Sequence, residues 1–322
     1  MRLGRTLSRV GLLMATLGLV AGAIGIRTST INSAWKGGTG NWSVPAGWNP
    51  NGVPNNGGGN TYNVTIDSGL TDLVSLDINA TIASLVLGGT SGSSTLQNLS
   101  GKAKSLEVTG ATTINSTGVL TFGNTSTLKF DGGLTDGGQF NLTGATATIT
   151  GSLTLRSGSI ASVSGASTLT VNGNLTNNSF SFETGSPNGG GNTLTVNGGF
   201  TNSGSLFMFG SPGDTLKVTG TLTNKAGATL DLANANIGTL SNSGSVNVGT
   251  GTTLNLTNQA NGITDVPAGS TLTVNGTLKA GTANGLAKLG SVEGTLNLGN
   301  GQTTADTPGS GTLTVASGAR WS

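Results

Sequence analysis

The sequence predicts an all-β chain wound as a parallel β-solenoid, a stack of coils in which each strand lies on the like strand of the coil before it. Three observations predict it: a recurring phrase of alternating apolar and polar residues, a repeat spacing near 22 residues, and an unusual composition. Among 322 residues there are 57 Gly and 7 Pro, while 8% are charged and 4% aromatic. Backbone punctuators at about a fifth of the chain argue against a helical protein. Hydrophobic residues at 34% and a formal charge of +2 argue against disorder throughout.

The phrase reads SLEVTGATT from Ser105, TLKFDGGLT from Thr127, TATITGSLT from Thr146, TLTVNGNLT from Thr168, TLTVNGGFT from Thr193, TLKVTGTLT from Thr215 and TLTVNGTLK from Thr271. Shorter echoes start at Thr229, Thr253, Thr295 and Thr312. The first six starts lie 22, 19, 22, 25 and 22 residues apart. That period is too short for a helical hairpin or a propeller blade, and the leucine-rich pattern is absent, which leaves a β-solenoid coil. Within a phrase Leu169, Val171 and Leu175 alternate with Thr168, Thr170 and Thr176, the period-two pattern of a strand with one buried face.

Asn172-Gly173, Asn197-Gly198, Thr219-Gly220 and Asn275-Gly276 follow the strands and are expected to turn the chain through positive φ at glycine. An Asn-Gly pair also suits a two-residue hairpin, but near-identical strands recurring at a coil's length stack more economically in parallel. Outside the phrase, Thr176 to Pro187 aligns without gaps on Thr201 to Pro212. The alignment places Phe182 over Phe207 and Pro187 over Pro212, and leaves Leu206 and Met208 on the opposite face.

The first residues read as an address. Arg2, Arg5 and Arg9 precede the apolar run Val10 to Val20 and the small-residue site Ala21-Gly22-Ala23, the layout of a cleaved secretory signal at residues 1–23. An uncleaved anchor is the competing reading, since Val10 to Ile26 is at the lower limit for a bilayer span. Cleavage removes three of the 14 basic groups, leaving 11 against 12 acidic ones and a mature charge of −1. No Lys or Arg cluster with aromatics remains, so nucleic acid is not an expected partner, and no stable membrane insertion is expected after cleavage.

Residues 24–66 are expected to form a linker and a Trp/Gly/Pro-rich cap, and residues 67–322 a solenoid of about ten coils, a rod on the order of 50 Å long. The cap region holds Trp35, Trp42 and Trp48 in the pattern W-x-G-G-x-G-x-W, a further Trp, then Gly52-x-Pro54 and the strand Tyr62 to Ile66. Together with the Thr/Leu/Asn/Gly coils downstream, it resembles secreted bacterial proteins with autotransporter-associated β-strand repeats. The resemblance implies a right-handed, single-stranded parallel β-helix on or outside the bacterial surface. The chain departs from such proteins at Gly318 to Ser322, where neither a translocator barrel nor a hydrophobic sorting helix is found. Export by another route, or a truncated passenger with no independent role, is therefore the expectation. The three indoles are either sugar-stacking platforms or a seal over the first coil, and the position before the first strand favours the seal.

The chain has no Cys and no His, which removes thiol chemistry and the usual general base. The carboxylates are scattered. Asp67, Asp72 and Asp77 are not expected to share a face, and Asp131 and Asp136, around Gly132-Gly133, read as solvated turn residues. No catalytic residue, cofactor or metal site is expected. The function expected is structural or adhesive: a secreted or surface-displayed solenoid whose repetitive hydroxyl- and amide-rich face attaches to glycans, matrix or itself. The alternative is a β-helix lyase or hydrolase acting on polysaccharide, which needs carboxylates converging on one groove.

Overall fold

The structure, a computed structural model, describes residues 29–98, 101–179, 181–184, 190–208, 213–248 and 252–256 and the strands Thr271–Val274, Thr277–Ala280 and Thr295–Leu298. The expected signal segment, Pro187 and Pro212 lie outside the described residues.

The chain is a β-solenoid. A representative coil runs through the strands Thr168–Val171, Leu175–Asn177 and Ser181–Thr184, and then Thr193–Val196 begins the next coil on top of the first strand. First and second strands join a 19-stranded sheet, third strands a 12-stranded sheet, and every described pairing between coils is parallel. The six phrase starts from Ser105 to Thr215 lie over one another in register. Because side chains alternate across a strand, that register turns the apolar residues of the phrase's strands inward. Leu106, Leu128, Ala147, Leu169, Leu194, Leu216, Ala235 and Leu254 make one buried column. In the 12-stranded sheet, Ala161 sits between Phe140 and Phe182, so a small residue makes room for two large ones.

The glycines after the first strands serve a different purpose from the one the sequence suggests. Gly173, Gly198 and Gly220 do not have positive φ. They form a column in which the N–H of Gly173 donates to Gly151 O (3.1 Å), that of Gly198 to Gly173 O (3.2 Å) and that of Gly220 to Gly198 O (3.2 Å). A Cβ at these positions would fall 2.6, 2.5 and 2.8 Å from those same carbonyl oxygens. Close approach of successive backbones, not left-handed conformation, demands glycine here.

The gap-free alignment of the two Phe segments fails by one residue. Asn177 stacks under Asn202, 25 positions on, but Phe182 stacks under Leu206 and Thr184 under Met208, 24 positions on. The corner between second and third strand is one residue shorter in the later coil. The slip buries Leu206 and Met208 and leaves only Phe207 facing outward, so two apolar side chains are buried instead of one. There is no exposed Leu206/Met208 patch. The phrase at Thr271 also departs from expectation. Its strand Thr271–Val274 joins the third-strand sheet, between Ser245–Val248 and Thr295–Leu298, while Thr277–Ala280 stacks on Thr253–Leu256. One motif thus serves two faces.

Parallel pairing already begins between Ser29–Trp35 and Asn60–Ile66. On its other side the first of these strands meets Trp48–Asn49 in an antiparallel pairing, Trp35 opposite Trp48. The chain thus folds back over part of the edge that the first coil would leave open.

Candidate functional site

At that edge the three candidate indoles pack on one another. Trp48 lies edge-on to Trp35 (centroids 5.0 Å apart) and to Trp42 (4.8 Å). Their N–H groups donate inward, Trp35 to Gly38 O, Trp42 to Pro54 O and Trp48 to Trp42 O. Gly40 and Gly47 clear space for the Trp35 ring; a Cβ on either would come within 2.9 and 2.5 Å of it. This accounts for Gly40 of the motif, whereas Gly37 and Gly38 carry positive φ, 115° and 81°. Trp35 is 5% exposed and Trp42 and Trp48 are 0% exposed, so none presents a ring face on which a sugar could stack. The indoles seal the edge, which is where a solenoid is otherwise prone to pair with another chain.

The carboxylates are not grouped. Among the described residues no cluster of three or more Asp or Glu is close enough to hold a metal ion. Asp72 is buried, not solvated. Its carboxylate accepts from the N–H of Gly38, from the N–H and hydroxyl of Ser68 and from the Ser94 hydroxyl, and so ties the cap to the next coil. Asp77 accepts from the N–H and hydroxyl of Ser43. Asp131 is solvated as expected, bonded to the Thr150 hydroxyl and paired with Lys129, whose other partner is Glu107. The Thr150 hydroxyl and then Lys129 lower the Asp131 pKa, while Glu107 and then Asp131 raise that of Lys129.

Asp136 is no turn residue. It lies in the strand Leu134–Asp136, fully buried, in the inward column Ile114, Asp136, Leu155, Asn177, Asn202, Asn224, Asn242. One carboxylate oxygen accepts from the Gly138 N–H at 2.9 Å, and the other has no partner among the described residues. Burial outweighs that one bond and pushes its pKa up to about 7. Further along the same column the asparagines form an internal ladder. Each Nδ2 donates to the Oδ1 one coil on at 2.8 Å, from Asn177 to Asn202, Asn202 to Asn224 and Asn224 to Asn242. The sequence shows this ladder as Leu-Thr-Asn, Phe-Thr-Asn, Leu-Thr-Asn and Leu-Ser-Asn at coil spacing, but Asn after a strand reads as a turn. Asp214 is likewise buried, accepting from the backbone N–H and Nδ2 of Asn192.

The outward face is a hydroxyl array. Thr113, Thr135, Thr154, Thr176, Thr201 and Thr223 stack in register, six rungs over about 24 Å, with Ser241 next. A second column holds Thr127, Thr146, Thr168, Thr193 and Thr215. All these side chains are at least partly exposed. Asn197 donates to Asn172 in an exposed amide step between the two columns.

No family model, curated protein or solved structure matches the chain. Among the described residues no helix is long and apolar enough to cross a membrane.

Proposed function

We propose that the chain is an exported, surface-displayed bacterial β-solenoid that attaches to glycans or matrix through its threonine-bearing face, without catalysis. The observation that carries this reading is the six-rung column from Thr113 to Thr223 on the second strands, together with the five-rung column from Thr127 to Thr215 on the first strands. Each rung repeats the same hydroxyl and methyl at the interstrand spacing, so a polymer with repeating hydroxyls can engage many weak contacts at once. Export is supported by Arg2, Arg5, Arg9, the apolar run and Ala21-Gly22-Ala23. The Trp35-to-Pro54 motif supports a kinship with autotransporter-associated repeat proteins.

Screening the full chain against immobilised neutral and acidic polysaccharides tests the reading. Saturable retention that strengthens with polymer length supports it. Retention on none of them, with turnover of any polymer, would replace it with the enzymatic alternative.

A further inference from the structure

The corner between second and third strands changes length from coil to coil. It is Asn115 to Thr117 in one coil, only Gly137-Gly138 in the next, and Arg156 to Ser159 in the one after. The two-residue corner carries no side chain, and it opens a recess of about 390 Å³ lined by Gly89, Thr90, Asn115, Ser116, Gly137, Arg156 and Ser157.

Arg156 is the only arginine among the described residues, and no described carboxylate pairs with it. Its backbone is pinned: the N–H donates to Asp136 O at 2.8 Å, and the Ser159 hydroxyl donates to its carbonyl at 2.7 Å. Its side chain passes over Gly137, where a Cβ would lie 3.5 Å from Arg156 Cδ. Asp136 is turned into the core and does not face the recess. Asp67 belongs to a coil four steps before that of Arg156, about 19 Å along the rod, and its carboxylate lies against Gly89 at the far end of the recess from the guanidinium. At its Arg156 end the recess therefore combines a guanidinium that no described carboxylate pairs with, the Thr90 and Ser157 hydroxyls, the Ser116 hydroxyl, which donates to Gly89 O, and the Asn115 amide, whose Nδ2 is committed to Gly88 O.

We propose that this recess binds a carboxylated saccharide unit. The planar guanidinium takes the carboxylate in a two-point contact, and the hydroxyls take those of the sugar ring. The inference rests on the adhesive reading and names a ligand class for one place on the rod.

The test is calorimetric titration of the full chain with a trigalacturonate, its methyl ester and sodium sulfate. Binding of the free acid is expected, weakened about tenfold or more by esterification and by Arg156→Ala, with Arg156→Lys in between. Gly137→Leu, which fills the recess, is expected to abolish binding; melting curves of all three variants check that the fold is retained. Equal binding of acid and ester, sulfate competing as well as the acid at equal concentration, or an Arg156→Ala variant that binds like wild type would overturn the site. If the chain is still retained on neutral polysaccharide in those cases, the adhesive reading survives alone. If wild type binds no saccharide at all, both fall.

Discussion

Asn177 and Asn202 stand one coil apart inside the rod, with the Nδ2 of the first donating to the Oδ1 of the second at 2.8 Å. Both are fully buried, and each also bonds backbone in the following coil: Asn177 to Ser205 O and Asn202 to Thr229 O. The ladder thus couples neighbouring coils through side chains as well as through the sheets. Asn202→Ala removes the donor to the Thr229 carbonyl and to Asn224 Oδ1 and the acceptor of one Asn177 Nδ2 bond, while Asn177 keeps Ser205 O and Asn224 keeps Asn242 and Ser245 O. A loss of about 1–3 kcal/mol per orphaned group is expected, measured as a lowered chemical-denaturation midpoint.

Asp136 occupies the same column without the amide. Its ordinary pKa of 3.8 rises to about 7 in the fold, so the folded chain holds the proton more tightly than the unfolded one. Below pH 4 both states are protonated and the group costs nothing extra. As pH rises from about 4 to 7 the unfolded state ionises first, and stability falls by about 4 kcal/mol, a loss that persists above pH 7. Asp136→Asn keeps the acceptor for Gly138 N–H and carries no charge. Melting temperatures from pH 4 to 8 are expected to fall for wild type and to lose most of that slope in the variant.

The glycine column gives a sharp contrast. Gly198→Ala places a methyl 2.5 Å from Gly173 O in the neighbouring backbone, whereas Gly52→Ala meets nothing within 4 Å. The first is expected to destabilise by about 1–3 kcal/mol or more and the second to be near neutral, as read by thermal melting.

Much of this was legible in the residues themselves. The alternation of Leu169 and Val171 with Thr168 and Thr170 places the inside and outside of a strand without outside help, and its recurrence places one coil on the next. The slip at Leu206 was not legible, because it depends on a corner one residue shorter, and local pattern does not reveal corner length. Buried Asn202, Asp136 and Asp72 were missed because polar residues beside a strand carry the same signal whether they close a turn from outside or from within the core. The Trp motif pointed to a cap, but that Gly40 makes room for the Trp35 ring while Gly37 and Gly38 take positive φ shows only in the structure.

Sealing of the first coil has its own consequence. Trp42→Ala removes a fully buried ring, its edge contact with Trp48 and its bond to Pro54 O. A loss of about 3–5 kcal/mol is expected, together with concentration-dependent association seen by analytical ultracentrifugation, as the uncovered edge becomes available for pairing.

The most direct measurement concerns the threonine column. Full-length chain and variants with Thr176, then Thr176 and Thr201, then Thr154, Thr176 and Thr201 changed to alanine are compared for retention on a polysaccharide that wild type binds, with melting curves alongside. Contacts that act together predict a stepwise, multiplicative fall in affinity with each rung removed while folding is preserved. Unchanged retention after loss of all three rungs, in folded protein, would contradict attachment through this face.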